Sequence, residues 1–335
     1  MSSLFDQMLL RLCLLALIAG WSAGAGAQPV VTFEPTDGVP TFAVRDPVLR
    51  ITPGTIVESR TFSRPGDYYA TEGGAWPGEV GPFYIEGATP ADTLVVKILR
   101  VRPNRDTAVS AVGASLSAVT TDARLRLLNE PFPYKRYVWR LDRERMTGIL
   151  DLPDSAARRV VVPLNPMLGR VAVAPAGGEA FGGLWPGNFG GNMDAVDVRE
   201  GTTVYLPVFH DGAYFYFGDG HALQGDGEIC GSGLETTMDV RLQFDLIKGR
   251  KIAWPRFEDA EHLMVAGSAR PLVDAFRIAQ VELIEWLVDE YGFTRADAWQ
   301  VVSQAGTTRV ANVVDPAFTI VAKFPKALLP PRVPR

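Results

Sequence analysis

The chain has 335 residues, of which 47% are hydrophobic, and a formal net charge of −5. This length suits one large β-rich unit or two closely packed lobes, with ample apolar material for a core. The mild acidity argues against a nucleic-acid partner.

The first predicted element is a targeting segment. Arg11 precedes an apolar run over residues 12–20, and a stretch of small residues ends with an Ala-x-Ala pattern at residues 25–27, which fits a signal-peptidase site. The apolar run is shorter than the about 20 residues that a membrane span needs. We therefore expect residues 1–27 to be a cleaved signal peptide and the mature protein to be secreted or periplasmic, with no stable membrane anchor after cleavage. An uncleaved anchor is the alternative.

The cysteines bear on the source of stability. Two are present, and the predicted cleavage removes Cys13. Cys230 would then be the single cysteine of the mature chain, so an intramolecular disulfide is excluded even in an oxidising compartment. Stability must come from core packing.

Short apolar segments separated by Pro, Gly and other turn residues dominate the chain up to residue 265. Their alternation of apolar and polar residues is typical of strands joined by tight turns. The clearest predicted strands are residues 81–87, 93–99, 160–163, 170–175, 203–208 and 236–246. The pattern predicts a β-rich catalytic body, a jelly-roll or barrel-like β-sandwich, over residues 28–265.

The pattern changes near residue 268. Apolar residues then recur at helical spacing, at Leu272, Phe276, Leu283 and Leu287. A second, shorter helix is predicted from Thr294, and strands are predicted over residues 309–314 and 318–322. Residues 266–324 therefore form an α+β C-terminal part, residues 325–335 form a Pro-rich tail, and the fold class is mainly β with an α+β C-terminal part.

Residues 190–194 read Gly-Gly-Asn-Met-Asp. The two glycines predict a tight turn, and Asn192 and Asp194 can bond their own backbone within it. The same amide and carboxylate are also groups that a functional site could use. The pattern alone favours the structural interpretation.

The segment from Gly218 to Glu228 concentrates more reactive chemistry than any other part of the chain. Gly-Asp-Gly occurs twice in it, followed once by His221 and once by Glu228. The carboxylates of Asp219, Asp226 and Glu228 together with one imidazole suit a divalent metal, Zn²⁺ above all, or a proton-transfer step. The alternatives are a glycine-rich hairpin with solvated acids, or a calcium-like acidic loop, although the spacing does not match the EF-hand pattern.

Cys230 and the two other histidines after residue 27 are the remaining side chains whose chemistry could serve catalysis. Cys230 lies two residues after Glu228, and it could be a nucleophile only with a base nearby, for which His221 is the sole close imidazole. The adjoining acids would raise the pKa of this thiol, which favours a buried, small hydrophobic residue instead. His210 and His262 are assigned no functional role.

These residues resemble the motifs of the acetamidase/formamidase family. The similarity lies in residues 190–194, Leu206-Pro207-Val208, the Gly218–Glu228 segment, Gly231 and Glu235, in matching order and approximate spacing. Residues 81–88 resemble the family's early Gly-Pro-aromatic/aliphatic-Glu-Gly motif, and the stretch from residue 266 to 325 is also similar. The resemblance covers most of residues 80–330.

The resemblance implies an activity and a set of roles. The activity is hydrolysis of a small-molecule carboxamide to a carboxylate and ammonia, on a β-rich body with an α+β C-terminal part that often forms homo-oligomers. A divalent metal, Zn²⁺ above all, would be held by Asp194, Asp219 and His221, with Glu228 as a further candidate ligand. Glu228 or Asp226 would move a proton from water to the leaving nitrogen, and Asn192 or backbone N–H groups would stabilise the oxyanion.

The chain departs from the family pattern at three places. It reads Pro-Thr-Phe-Ala at residues 40–43, where the family usually has a His-containing segment. It also lacks an acidic element at residues 59–62 and another at Gly306-Thr307. These departures leave two alternatives to a metal-assisted amidase, namely a metal-free amidase that uses Cys230 and an exported, non-catalytic protein that binds a small ligand.

Overall fold

The computed structural model describes residues 28–113, 117–119 and 133–334. The predicted signal peptide over residues 1–27 lies outside the described residues. Strands dominate, and the two α-helices lie near the C-terminus, so the predicted fold class is confirmed. No helix of the described part is both long and apolar enough to cross a membrane.

The strands of the described residues are numbered here in chain order. The first eleven are β1 (Val30–Thr32), β2 (Thr41–Phe42), β3 (Leu49–Ile51), β4 (Ile56–Arg60), β5 (Val80–Ile85), β6 (Thr93–Pro103), β7 (Thr107–Val112), β8 (Lys135–Asp142), β9 (Thr147–Leu152), β10 (Arg158–Pro163) and β11 (Met167–Ala172). The remaining ten are β12 (Phe181–Gly182), β13 (Pro186–Gly187), β14 (Gly190–Asn192), β15 (Thr203–Pro207), β16 (Phe215–His221), β17 (Met238–Ile247), β18 (Arg256–Glu258), β19 (His262–Ala269), β20 (Thr307–Asn312) and β21 (Phe318–Pro325). The helices are α1 (Leu272–Tyr291) and α2 (Arg295–Ala305).

Two large sheets form a β-sandwich. One has nine strands in the order β1-β4-β17-β6-β15-β18-β19-β21-β20, and the other has six in the order β13-β14-β11-β16-β5-β3. Aromatic side chains from both sheets meet in one core, where the rings of Phe215 on β16 and Phe244 on β17 lie 5.0 Å apart, edge to face. A four-stranded sheet, β10-β9-β8-β7, and the pair β12-β2 complete the strands.

The C-terminal helices cover one end of the nine-stranded sheet. Leu283, Trp286 and Leu287 of α1 pack with Leu263 and Phe324 in a second hydrophobic cluster. Such burial contributes about 1.5–3 kcal/mol for each large apolar side chain. Because β19, β20 and β21 belong to the same sheet as β1 and β4, the C-terminal part extends the body, and the predicted boundary at residue 265/266 falls inside β19.

Two glycine-rich segments differ from their sequence predictions. Residues 190–192 form strand β14 rather than a tight turn, with φ of +89° at both Gly190 and Gly191. The Gly218–Glu228 segment is a loop only in its second half. Its first four residues complete the fully buried strand β16, and Asp226–Glu228 form a single 3₁₀ turn.

Candidate active site

A cavity of about 420 Å³ lies where β11, β14 and β16 meet β7 and the segment that follows β16. One part of its lining is polar and consists of Arg170, Asn192, Asp219, Glu228, Cys230, Glu235 and Asp315. The other part is largely apolar or aromatic and consists mainly of Pro40, Tyr68, Trp76, Ala111, Val112, Tyr134 and Leu184. We call these two sets of lining residues the acidic end and the apolar end; they adjoin at Trp76, whose ring covers Arg170.

Sheet register brings the polar groups together. Arg170 on β11 pairs with Asn192 on β14 and with Gly218 on β16, so the three residues lie side by side on one face of the six-stranded sheet. A Cβ atom on Gly218 would lie 2.1 Å from Oε2 of Glu79. Only glycine at this position leaves room for the Glu79 carboxylate beside Arg170.

Buried carboxylates outnumber the cations at the acidic end. Glu79, Asp194, Asp219, Glu228, Glu235 and Asp315 are each at most 7% exposed. Arg170 and His221 form ion pairs with three of them, Glu79, Asp219 and Glu235. Burying a charge is costly unless it is paired, so the remaining negative charge must be protonated or bind a cation.

Arg170 holds one side of this cluster. Its Nη1 contacts Oε1 of Glu79 at 2.5 Å, and its Nε lies 3.3 Å from Oδ2 of Asp219 and donates to Oδ1 of Asn192. The Trp76 ring covers the guanidinium at 4.4 Å, and its indole N–H donates to Glu79. Although burial alone would raise it, the charges of Arg170 and His221 hold the pKa of Asp219 well below its usual range.

The other acids behave in the opposite way. Burial, reinforced by neighbouring carboxylates, raises the pKa of Asp194, Glu228 and Asp315 well above the usual range. For Glu228 the strongest neighbouring charge is that of Asp194, and for Asp194 it is that of Asp315. These groups therefore hold a proton more tightly than an exposed carboxyl does.

Gln224 sets the tautomer of His221. The Gln224 amide N–H groups donate to the carbonyl oxygens of Asp194 (2.8 Å) and Ala311 (3.0 Å), so its Oε1 faces Nδ1 of His221 at 2.8 Å. An oxygen can only accept, and Nδ1 must therefore carry a proton. Nε2 faces Asp219 at 3.2 Å and Glu235 at 3.0 Å. A hydrogen bond at the other ring nitrogen, here Nδ1 with Gln224, is the contact that usually orients a metal-binding imidazole.

Two groups of donor atoms share His221. Asp194, Asp219 and His221 each offer a ligand atom within 4.8 Å of the others, and so do His221, Glu228 and Glu235. Oδ1 of Asp194 and Oε2 of Glu235 are buried and make no hydrogen bond. Unpaired carboxylate oxygens around an oriented imidazole are the donor set that Zn²⁺ and similar divalent ions take, so these residues fit such a metal.

The backbone at this site is strained in a way that supports a functional role. Asp194, Asp219 and Glu228 have positive φ values of 45°, 57° and 48°. A non-glycine residue in this region costs of order 1–3 kcal/mol, and such residues cluster at functional sites. All three residues were singled out from the sequence as ligands or proton carriers.

Two of the residues predicted to be catalytic do not lie where that role requires. Asp226 is exposed and forms an ion pair with Arg309, whereas Glu228, two residues later in the same 3₁₀ turn, is buried in the cavity lining. Asn192 does line the cavity, but its amide donates to Oδ2 of both Asp194 (2.9 Å) and Asp315 (2.6 Å). Both N–H bonds of Asn192 are thus used to hold carboxylates, and none is left for an oxyanion.

Cys230 lines the cavity, and its thiol makes no described hydrogen bond to a basic side chain. Its Sγ lies 3.5 Å from the carbonyl oxygen of Ser232, and both ring nitrogens of His221 are engaged by Gln224, Asp219 and Glu235. His210 bonds the carbonyl oxygen of Pro175, as a structural histidine would.

Sequence reasoning named Glu235 in the family resemblance without a chemical role, and it did not single out Glu79, Arg170, Gln224 or Asp315. One of them left a clear pattern, because Arg170 is a lone charge inside the otherwise apolar run of residues 167–174. Of the three departures from the family pattern, residues 40–43 contribute Pro40 to the lining, and neither residues 59–62 nor Gly306-Thr307 contribute a described lining residue.

Comparisons with known proteins agree with one another. The Acetamidase/Formamidase family model matches residues 162–329. The acetamidase of Mycolicibacterium smegmatis is 29% identical over 217 residues, which cover 50% of this chain and 53% of that protein. The chain therefore spans about half of the length of this relative.

Solved structures match over a larger share. An acetamidase from Yersinia enterocolitica has a TM-score of 0.80 and 34% identity, and the match covers 91% of this chain and 95% of that one. A predicted acetamidase/formamidase from Thermoanaerobacter tengcongensis has a TM-score of 0.76 and 26% identity, with coverage of 90% and 97%.

Proposed function

This chain belongs to the acetamidase/formamidase family, and on that premise we propose that it hydrolyses a carboxamide to a carboxylate and ammonia in the cavity described above. The observation that carries the proposal is the pair of donor groups that share His221 at the acidic end of the cavity. A cavity with convergent titratable groups of perturbed pKa is the usual form of an active site.

The proposed reaction includes a divalent metal, with Zn²⁺ as the expected ion. Asp194, Asp219 and His221 would hold it, with Glu228 and Glu235 as further candidate donors. When bound, the ion would supply a Lewis acid that polarises the amide carbonyl and makes water more acidic.

The residues of the chain have separate tasks in this proposal. Glu228, whose pKa is raised by burial, takes a proton from the attacking water and delivers it to the leaving nitrogen. Arg170 and the Gln224–His221 contact keep the acids and the imidazole in position before the substrate arrives. Asn192 is a positioning residue, because it bridges Asp194 and Asp315.

The decisive experiment measures metal content and ammonia release on the same preparation of the purified protein. We expect stoichiometric divalent metal, turnover of carboxamides, and loss of both in His221→Ala. His210→Ala is the matched control, since it removes a histidine outside the cavity and should keep both. A metal-free protein in which His221→Ala leaves ammonia release unchanged would refute the proposal.

The same assays separate the two alternatives. A metal-free amidase that uses Cys230 predicts that Cys230→Ser abolishes turnover, whereas the metal-assisted reaction predicts little change. A non-catalytic binding protein predicts that amides raise the melting temperature without any ammonia release. The described hydrogen bonds of Cys230, which involve Ser232 and no base, support the metal-assisted reaction.

We further propose that the protein acts outside the cytoplasm, because residues 1–27 have the pattern of a signal peptide. N-terminal sequencing of the protein from each cell fraction tests this. A mature chain that begins at Gln28 in the exported fraction is expected, and an intact N-terminus in the cytoplasm would contradict it.

A further inference from the structure

The cavity is larger than a formamide or acetamide substrate requires. We propose that the substrate is a carboxamide whose acyl group is apolar and about the size of a phenylmethyl group or larger. This inference rests on the proposed amidase function and names the substrate class of the same site.

The volume gives the first argument. Acetamide displaces roughly 100 Å³ if each of its non-hydrogen groups occupies about the 30 Å³ of a water molecule in the liquid. The cavity holds about 420 Å³, which lies within the range of about 300–1,000 Å³ typical of pockets for much larger ligands. Acetamide at the acidic end would leave most of this space to water.

The chemistry of the lining gives the second argument. Tyr68, Trp76 and Tyr134 supply aromatic surface, and Pro40, Val112 and Leu184 supply aliphatic surface. Such surface gains free energy only when it covers apolar groups of a ligand. Every charged residue among the described lining residues belongs to the acidic end, so the apolar end suits a neutral, apolar group of the ligand.

The aromatic surface is fixed in place. Trp76 is held by its hydrogen bond to Glu79 and by its stacking on Arg170, and its ring lies 5.9 Å from that of Tyr68. A rigid aromatic wall next to the acids lets an apolar acyl group pack on the rings while the carboxamide contacts the carboxylates.

The first experiment compares formamide, acetamide, phenylacetamide and N-phenylacetamide by ammonia or aniline release. We expect kcat/KM for phenylacetamide to exceed that for acetamide by at least about 10-fold, since one methylene in an apolar pocket already gives about 10-fold or more. The aryl group should help only on the acyl side. A kcat/KM for acetamide that equals or exceeds that for phenylacetamide, or a preference for N-phenylacetamide, would overturn the proposal.

The second experiment fills the apolar end. Val112→Phe should lower the ratio of kcat/KM for phenylacetamide to that for acetamide at least about 10-fold, because only the larger acyl group needs the occupied space. Val138→Phe is the matched control, since it places the same ring on an exposed position of the neighbouring strand β8. Equal losses on both substrates, in a variant whose circular dichroism is unchanged, would count against the proposal.

A third variant covers the case in which Val112→Phe does not fold. Leu184→Ala removes apolar surface from a 41%-exposed side chain and should lower the same ratio, phenylacetamide to acetamide, by a few-fold. An unchanged ratio of the two values would contradict the proposal. If acetamide is hydrolysed and phenylacetamide is not, the substrate class is wrong and the amidase function stands. If neither is hydrolysed, the amidase function itself fails.

Discussion

Two clusters of buried or half-buried acids in this molecule are built differently. At the junction of α1 with the nine-stranded sheet, which we call the junction cluster, Glu258, Glu282 and Glu290 each contact an arginine or a lysine. In the cavity, by contrast, Asp194, Glu228 and Asp315 form no ion pair with any described residue.

The pKa values of one acid from each cluster move in opposite directions. Although burial opposes it, the contacts of Lys326 and Arg332 lower the pKa of Glu258, whereas burial raises that of Glu228. Paired acids stabilise the junction, and unpaired acids leave the cavity ready to take a cation or a proton. Charge balance, rather than the presence of buried acids, therefore distinguishes the structural cluster from the candidate active site.

The largest expected effect tests the unpaired acids of the cavity. Asp194→Asn keeps the shape of the side chain and removes one of the donors that would hold the metal. We expect metal to be lost and kcat/KM to fall by about 1,000-fold or more, as for the loss of a key stabilising group. Ammonia release and metal content check this, and full activity in Asp194→Asn would remove Asp194 from the site.

The next effect tests the paired acids of the junction cluster. Glu290→Gln leaves Arg250 and Arg332 without their shared carboxylate partner, and we expect a loss of about 3 kcal/mol in the free energy of unfolding. Urea denaturation measures the loss, and kcat/KM should change less than about twofold. A drop in activity without a drop in stability would erase the distinction between the two clusters.

A smaller effect concerns the contact that orients His221. Gln224→Leu removes the acceptor for Nδ1 of His221, and we expect metal affinity to fall by about 10- to 100-fold. Competition with a chromophoric chelator measures the affinity. Gln224→Glu, which keeps an acceptor oxygen, should bind metal more tightly than Gln224→Leu. The reverse order would show that Gln224 does not act through the imidazole.

The stability of the metal-free protein should depend on pH through the unpaired carboxyl of Asp194. The raised pKa of Asp194 means that the folded state binds a proton more tightly than the unfolded state does, whose aspartate pKa is about 3.9. This stabilisation is therefore present below that value and is lost as the pH rises towards the raised pKa. With metal removed, Asp194→Asn should melt above the unmodified protein by about 2 °C, and by more at pH 8 than at pH 5. A constant difference would argue against unpaired charge as the cause.

The smallest effect concerns Asp226. Because its side chain is exposed and paired only with Arg309, Asp226→Asn should change the free energy of unfolding by less than about 0.5 kcal/mol and leave kcat/KM within about twofold. The matched variant Asp219→Asn removes the buried acid seven residues earlier and should abolish activity. Equal kcat/KM values for the two variants would contradict the different positions assigned to Asp226 and Asp219.

The sequence predicted the fold class and the part of the site that is local in the chain. Alternation and helical spacing placed the body and the C-terminal helices, and Asp219, His221 and Glu228 stand out because they lie close together in one segment. Asp226 was misplaced, because a single 3₁₀ turn exposes it and buries Glu228. A residue pattern cannot show which side of such a turn faces solvent.

The remaining site residues depend on sheet register. Glu79 meets Arg170 across 91 positions of the chain, and Asn192 meets Asp315 across 123. Periodicity predicts that a strand exists but not which strand lies beside it. The tight turn expected at residues 190–194 is strand β14 for the same reason, since its neighbours are supplied by β11 and β13.

The bond between Asn192 and Asp315 has a consequence for the order in which the molecule is made. Asp315 lies between the last two strands, and β21 binds between β19 and β20 at the end of the large sheet. A ribosome must therefore release nearly the whole chain before the acidic end of the cavity can close. A growing polypeptide would carry the Gly218–Glu228 segment without its last partner, so catalytic competence would arrive only with the finished chain.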